Sequence, residues 1–255
     1  MTDADIEHAC AMLVEAHRHG RRFASLVQPT VSDLRDVYRI HEKVLRELAG
    51  EARVDTWKVS PPREATPATA SPILPGCRVD SPAITKVATF RMIGIEAELA
   101  FRFGTDLPSR AEPYTDDEVL AAVQEICVAV ELCDTRLTDW ADALVLWRLA
   151  DFQSGAMLVV GSVRRDWRSI DFAQQEVELL INGEVRVRSR GSHPTVDPSR
   201  LLPAIVAHCS EHSDGLRAGD VVTTGSWTGM TQAAPGDAIR AYFPGIGSAE
   251  LALEG

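Results

Sequence analysis

No apolar run in this 255-residue sequence is long enough to span a bilayer, so a membrane partner is not expected. Cysteine is scarce: Cys10, Cys77, Cys127, Cys133 and Cys209 are odd in number and form no C-x-x-C pair. That pattern fits buried thiols in a reducing cytoplasm better than a disulfide framework or a zinc site. Basic residues are outnumbered, 26 Lys and Arg against 37 Asp and Glu, which argues against a nucleic-acid partner. The acidity leaves room for an anionic substrate where a cation in the site reverses the local field. There is no G-x-G-x-x-G and no βαβ alternation, so a Rossmann domain is disfavoured. There is also no internal repeat and no low-complexity tract. Nothing at the start reads as a signal peptide, because Ile6, Ala9, Met12 and Leu13 are helically spaced and interrupted by acids and histidines.

The apolar spacing predicts a helix over roughly residues 3–18 and a second after an N-cap at Ser32. The second carries Leu34, Val37, Tyr38, Val44, Leu45 and Leu48 on one face and stops at Gly50. From Pro61 to Pro82 the chain is rich in Pro, Ala, Ser and Thr and reads as a long loop. Strands dominate thereafter. The capping box Thr115-Asp116-Asp117-Glu118 opens a helix expected to run to about Cys127. Val177–Ile181 and Glu184–Arg188 flank Asn182-Gly183, a type I′ hairpin signal. A further helix is expected from about Pro198 to Glu211. Short strands follow at Val221–Thr224, Ala238–Phe243 and Ala249–Leu253. Strand clusters interrupted by isolated helices predict an α+β fold built around a curled sheet.

Within Ile95-Glu96-Ala97-Glu98-Leu99-Ala100-Phe101 the apolar residues alternate with two glutamates. On a β-strand one face is then buried and both carboxylates leave the other, with Cα atoms about 7 Å apart. Uncompensated, such acids repel and one takes up a proton. Glu131 interrupts the apolar run Val128-Ala129-Val130-Glu131-Leu132 in the same way. Three carboxylates converging suit a hard divalent ion such as Mg²⁺ or Mn²⁺. A solvated strand face, with Glu131 paired to Arg136, is the other reading, and the residues alone leave both open.

Trp57-Lys58-Val59, GIEAELAFRFGTDLP (Gly94–Pro108), VELCDTRLTDW (Val130–Trp140), LADFQSGAMLVVG (Leu149–Gly161), LRAGDVVTTGSWTG (Leu216–Gly229) and PGD (Pro235–Asp237) occur in that order. From about residue 57 onward the chain thereby resembles the fumarylacetoacetate hydrolase superfamily, in its branch of 2-keto-4-pentenoate hydratases and 4-oxalocrotonate decarboxylases. The resemblance implies a mixed β-sandwich or roll with flanking helices and a helical N-terminal segment. It implies one catalytic domain over residues 1–255, with helices over 1–55 and a β-rich, metal-binding core over 56–255. It also implies Mg²⁺ or Mn²⁺ held by Glu96, Glu98 and Glu131, and usually a homo-oligomer.

The activity that the resemblance implies is hydration of a 2-hydroxy-2,4-dienoate to a 4-hydroxy-2-oxo acid, as in meta-cleavage catabolism of aromatics. The alternatives are decarboxylation of a 2-oxo-3-enedioate, C–C hydrolysis of an acylpyruvate, or a metal-binding partner subunit with little turnover. By the resemblance, Lys58 is the expected cationic partner or general acid, with a pKa open to lowering by burial, where the residues alone also allow a surface lysine beside Trp57. Ser154 is a candidate to hydrogen-bond the substrate carboxylate, with Gln153, Gly225 and Ser226 as substrate-binding positions. Arg136 is expected to order Glu131 or an interface, and Asp134 to lie behind the ligands.

Three departures from the family pattern stand out. Lys58-Val59 runs into Ser60-Pro61-Pro62 where relatives continue to glycine. Phe152 replaces a polar residue near the site. Gly191-Ser192-His193-Pro194 stands where Gly-x-Asn-Pro is common. The loop after Val59 holds Glu64 but no histidine, which weighs against the hydrolase reading. His8, His17, His19 and His41 on the helical start are expected to be solvated, and the role of His193 is left open.

Overall fold

The computed structural model describes residues 1–62 and 66–255. Two helices open the chain, α1 (Asp3–His19) and α2 (Leu34–Ala49). Thr2 and Asp5 form a capping box on α1. The cap of α2 is Asp33, not Ser32: the Asp33 carboxylate accepts from Asp36 N at 3.0 Å, while the Ser32 hydroxyl turns to Thr30 O. Three shorter helices follow, α3 (Asp116–Ala122), α4 (Val145–Ala150) and α5 (Leu202–His212), the last preceded by a 3₁₀ turn over Pro198–Leu201.

The strands are β1 (Thr56–Ser60), β2 (Thr69–Pro72), β3 (Arg78–Asp80), β4 (Ala83–Lys86), β5 (Gly94–Phe103), β6 (Leu107–Pro108), β7 (Val123–Cys133) and β8 (Gly155–Arg164). They continue as β9 (Glu176–Ile181), β10 (Glu184–Arg190), β11 (Gly215–Leu216), β12 (Val221–Ser226), β13 (Thr231–Gln232), β14 (Ala238–Phe243) and β15 (Gly247–Glu254). Two expectations are corrected here. The stretch 61–82 is not all loop, since β2 pairs with β1 and β3 with β8. The helix expected to reach Cys127 ends at Ala122, because Val123, Ile126, Val128 and Val130 are β-branched and extend as one long strand. Asn182 and Gly183 take φ of 55° and 78°, the left-handed pair that a type I′ hairpin requires.

One sheet has the order β2-β1-β12-β5-β7-β8-β3, with β13 also on β5, and a second has the order β10-β9-β14-β15-β4. Parallel pairs (β1 with β12, β3 with β8, β4 with β15) mix with antiparallel ones. The result is a mixed α/β architecture with curled sheets, as the sequence leads one to expect. Gly161 on β8 marks where the sheets meet, since a Cβ there would lie 2.7 Å from Ala249 Cα on β15.

Alternation sorts the central strands. Ile95, Ala97, Leu99 and Phe101 of β5 and Val128, Val130 and Leu132 of β7 enter the main core with Val177, Leu179 and Ala249 of the second sheet. Their neighbours Glu96, Glu98, Glu131 and Cys133 leave the opposite face. That face is covered as well: Ile73, Ala100, Cys127, Ala129, Leu158 and Val160 form a smaller cluster on it. The helical start packs separately, with Ile6, Leu13, Val37 and Ile40 against Trp147, Leu149 and Phe152.

Candidate metal centre

Glu96 on β5 lies directly across from Glu131 on β7. Glu131 is wholly buried; its Oε1 accepts from Lys58 Nζ, and its Oε2 has no hydrogen-bond partner among the described residues. Glu98, 1 % exposed, turns its Oε2 to the Thr223 hydroxyl and to Gly225 N at 3.1 Å. Burial pushes the Glu98 carboxyl up to about 8, Glu131 and Glu96 push the same way, and Lys58 and the Thr223 bond oppose them. An orphaned, buried carboxylate oxygen beside two further acids is a donor set that fits a hard divalent cation. Glu96, Glu131 and Cys133 each offer an atom within 4.8 Å of the others. Glu98 stands outside that group, its Oε2 engaged by Thr223 and Gly225.

Lys58 sits on β1 next to β12, in register with Thr223. Burial alone lowers an ammonium's pKa, but Glu131, Glu96 and Glu98 outweigh it, so Lys58 is raised rather than lowered. That corrects the expectation of a lysine tuned toward neutrality. Lys58 Nζ also donates to Gln153 O at 3.1 Å, and Gly155 leaves room for its stem, since a Cβ at 155 would come within 3.3 Å of Lys58 Cδ.

The turn that supplies this carbonyl is unusual. Phe152, Gln153 and Ser154 all have left-handed φ, of 50°, 52° and 61°. Consecutive non-glycine residues in this region persist only where their surroundings over-determine them. Here Ser60 Oγ donates to Gln153 Oε1 at 2.9 Å, Gln153 Nε2 donates to Thr69 Oγ1 at 3.1 Å, and Trp140 Nε1 donates to Ser154 Oγ at 3.0 Å. Behind them Asp151, fully buried, accepts from Arg136 Nε, from Arg136 N at 3.0 Å and from Thr135 Oγ1 at 2.8 Å. Burial pushes Asp151 up, and these bonds offset only part of that.

Several expectations change accordingly. Arg136 clasps Asp151, while Glu131 pairs with Lys58. Asp134 ties the helical start to the sheet, accepting from Arg22 and from the Arg91 and Met92 amides. Phe152 turns away from the acids and lies between His17 and His41, at ring distances of 5.7 and 4.9 Å. Those two histidines are therefore packed, not solvated. His193 is structural: one ring nitrogen donates to Thr224 O at 2.9 Å and the other accepts from Thr195 N at 3.3 Å. Gly225 faces Glu98 through its amide, whereas the Ser226 hydroxyl donates to Gly229 O at 3.2 Å within its own turn. Glu64 lies outside the described residues. Sequence reasoning did not find Thr223 or Asp151 and did not place Cys133 beside the acids. For Cys133 a signal existed, since it stands two residues after Glu131 on the same strand face.

Residues 45–253 match the family described as fumarylacetoacetate (FAA) hydrolase C-terminal. Among curated relatives, a 2-keto-4-pentenoate hydratase of Burkholderia vietnamiensis (strain G4) is 31 % identical over 154 residues, 60 % of this chain and 58 % of that one. A 4-oxalocrotonate decarboxylase of Pseudomonas sp. is 24 % identical over 163 residues, 63 % of this chain and 60 % of that one. The matches thus span little more than half the length of these relatives. In fold, the chain is similar to the 4-oxalocrotonate decarboxylase of Pseudomonas putida G7, complexed with calcium and acetate. The TM-score is 0.81 and the identity 18 %, over 99 % of this chain and 98 % of that one. By the reach of the family match, confirmed by the shared fold, this chain belongs to the fumarylacetoacetate hydrolase family.

Proposed function

We propose that the chain is a divalent-metal-dependent hydratase that adds water to a 2-hydroxy-2,4-dienoate, giving a 4-hydroxy-2-oxo acid. The observation that carries the metal in this reading is Glu131 Oε2, which has no hydrogen-bond partner among the described residues and lies buried opposite Glu96 and near Glu98. Glu96, Glu98 and Glu131 would hold Mg²⁺ or Mn²⁺. Bound there, the ion supplies a Lewis acid for the carboxylate and 2-oxygen of such a substrate. Lys58 keeps its proton and a fixed place between Glu131 and Gln153 O, so it would act in turnover as a fixed cation that counters the charge developing on the substrate. Ser154 accepts from Trp140 and retains its own hydrogen to donate to a substrate carboxylate. Gly225 N and Thr223 orient Glu98.

The identity to named hydratases over the matched segment supports the reaction class. The same reading makes residues 1–255 one catalytic domain of a cytoplasmic homo-oligomer. Among the described residues, no helix is long and apolar enough to cross a membrane. The test is a Mg²⁺-dependent assay following loss of dienol absorbance with 2-hydroxypenta-2,4-dienoate, run beside CO₂ release from 2-oxohex-3-enedioate. Dienol loss with a 4-hydroxy-2-oxo product is expected. CO₂ release alone would move the assignment to decarboxylation, and cleavage of an acylpyruvate alone to hydrolysis.

A further inference from the structure

The strand face that carries Glu131 also carries Cys133, 3 % exposed, with its Sγ 3.5 Å from Glu131 Oε1. Cys133 stands opposite Gly94 in the β5–β7 ladder, and Glu131 opposite Glu96, so sulfur and carboxylates share one patch. A Cβ at Gly94 would overlap the Met230 sulfur and would lie 3.2 Å from Cys133 Cβ. The absence of a side chain at Gly94 thus lets a thioether close the patch next to the thiol. Beside them, Glu131 Oε2 is wholly buried and has no partner among the described residues. In the metal-free protein the thiol donates to Glu131 Oε1, and its sulfur stands within reach of the same ion as the Glu96 and Glu131 oxygens; as a thiolate it would add a soft donor that suits ions such as Zn²⁺.

We infer that Cys133 is an additional, sulfur ligand of the carboxylate centre, which therefore also takes borderline divalent ions such as Co²⁺, Zn²⁺ or Cd²⁺ beside the Mg²⁺ or Mn²⁺ that the acids alone would hold. This rests on the metal-centre reading and adds to it a donor outside the three acids. As the metal–sulfur bond forms, the thiol proton passes to solvent and no electron is transferred. The remaining thiols lie elsewhere: Cys10 packs in the helical cluster, Cys209 on α5, Cys127 beside Ala129 and Leu158, and Cys77 against that cluster's edge.

The probe is Co²⁺ added to metal-stripped full-length protein, read by its sulfur-to-metal charge-transfer absorption. Mn²⁺ binding is measured in parallel by calorimetry. The expected result is a charge-transfer band saturating at one equivalent in wild type and lost in Cys133→Ser. The band should persist in Cys77→Ser, and Mn²⁺ should still bind to Cys133→Ser. Should Cys133→Ser fold poorly, Cys133→Ala serves as the second variant, with a thermal melt as the control of folding. Co²⁺ binding without the band in wild type, or a band surviving in both Cys133 variants, would overturn the sulfur ligand while leaving the carboxylate centre standing. No binding of either ion to wild type would overturn the metal reading itself.

Discussion

Lys58 and Glu131 form an ion pair although two strands, β12 and β5, separate theirs in the sheet. The ends of these long side chains meet across the two intervening strands, on the buried face opposite the main core. The pair sets the charge balance of the site, because Lys58 is the cation that offsets Glu131, Glu96 and Glu98 together. It also ties the carboxylates to the left-handed turn through Gln153 O.

Lys58→Met should therefore do two separable things. Leaving Glu131 buried without its cation costs about 3–5 kcal/mol in metal-free protein. Added Mg²⁺ or Mn²⁺ supplies replacement charge, so most of the lost thermal stability should return. Turnover should not return, and kcat should fall by roughly 10²–10³, as for loss of one group that stabilises developing charge. A mutant with wild-type kcat would remove Lys58 from the chemistry. One whose melting temperature ignores metal would remove the charge-balance argument.

Thr223→Val tests the orientation of Glu98. The hydroxyl donates to Glu98 Oε2, and valine keeps the shape but not the donor. Loss of a group that orients a metal-ligating carboxylate typically lowers metal affinity about 10–100-fold. Calorimetric titration with Mn²⁺ should show that drop with the far-ultraviolet spectrum unchanged. Unaltered affinity would mean that Gly225 N suffices to hold Glu98.

The acids were legible because period-two alternation is local: Glu96, Glu98 and Glu131 each interrupt an apolar pattern on one strand. Of their partners, Lys58 is reached only through the family resemblance and Thr223 not at all, since both are joined to the acids by pairings between strands far apart in sequence. β2 and β3 escaped notice for a related reason. They are short, lie in a Pro-rich stretch and exist only by pairing with β1 and β8. Phe152 looked like a change near the site because its neighbours are at the site. The left-handed turn instead sends its ring into the helical cluster.

The buried histidines predict acid sensitivity. Burial pushes His17 down to about 2, with Arg136 adding to it; burial takes His41 to about 4 and His208 to about 3. His41 faces Tyr38, Phe152 and Leu149 O, and His208 faces Tyr38, His212 and Trp57. Each folded-state pKa lies under the unfolded value near 6.5, so the unfolded chain binds more protons. Their neutral state costs nothing above pH 6.5, and stability is lost as pH falls from there toward about 4 for His41, 3 for His208 and 2 for His17. Each histidine costs up to about 1.4 kcal/mol per pH unit in that window. Melting temperatures from pH 7.5 to 5 should fall steeply, and His41→Gln, whose amide can still donate to Leu149 O, should flatten the slope. A pH-independent melting temperature would contradict the neutral, packed state of these rings.

Asp151 is the residue through which the turn can be loosened without touching an acid or Lys58. Its carboxylate holds Arg136 and Thr135 and stands immediately before three residues of left-handed backbone. Asp151→Ala leaves the Arg136 guanidinium buried and unpaired, which should cost about 3–5 kcal/mol. For a chain of this size that is a fall of roughly 6–20 °C in melting temperature. Arg136→Met costs the reverse burial, an unpaired carboxylate that can take up a proton, and should be the milder change. Combined, the two should lose less than the sum of the singles, because neither charge is then stranded. The functional readout is a split: the Lys58 contact to Gln153 O weakens in Asp151→Ala, so kcat should drop, while Glu96, Glu98 and Glu131 are untouched and Mn²⁺ affinity should hold. Strict additivity of the two mutations would show that the ion pair is not coupled. Equal losses of kcat and metal affinity would show that the turn supports the whole sheet face rather than the lysine.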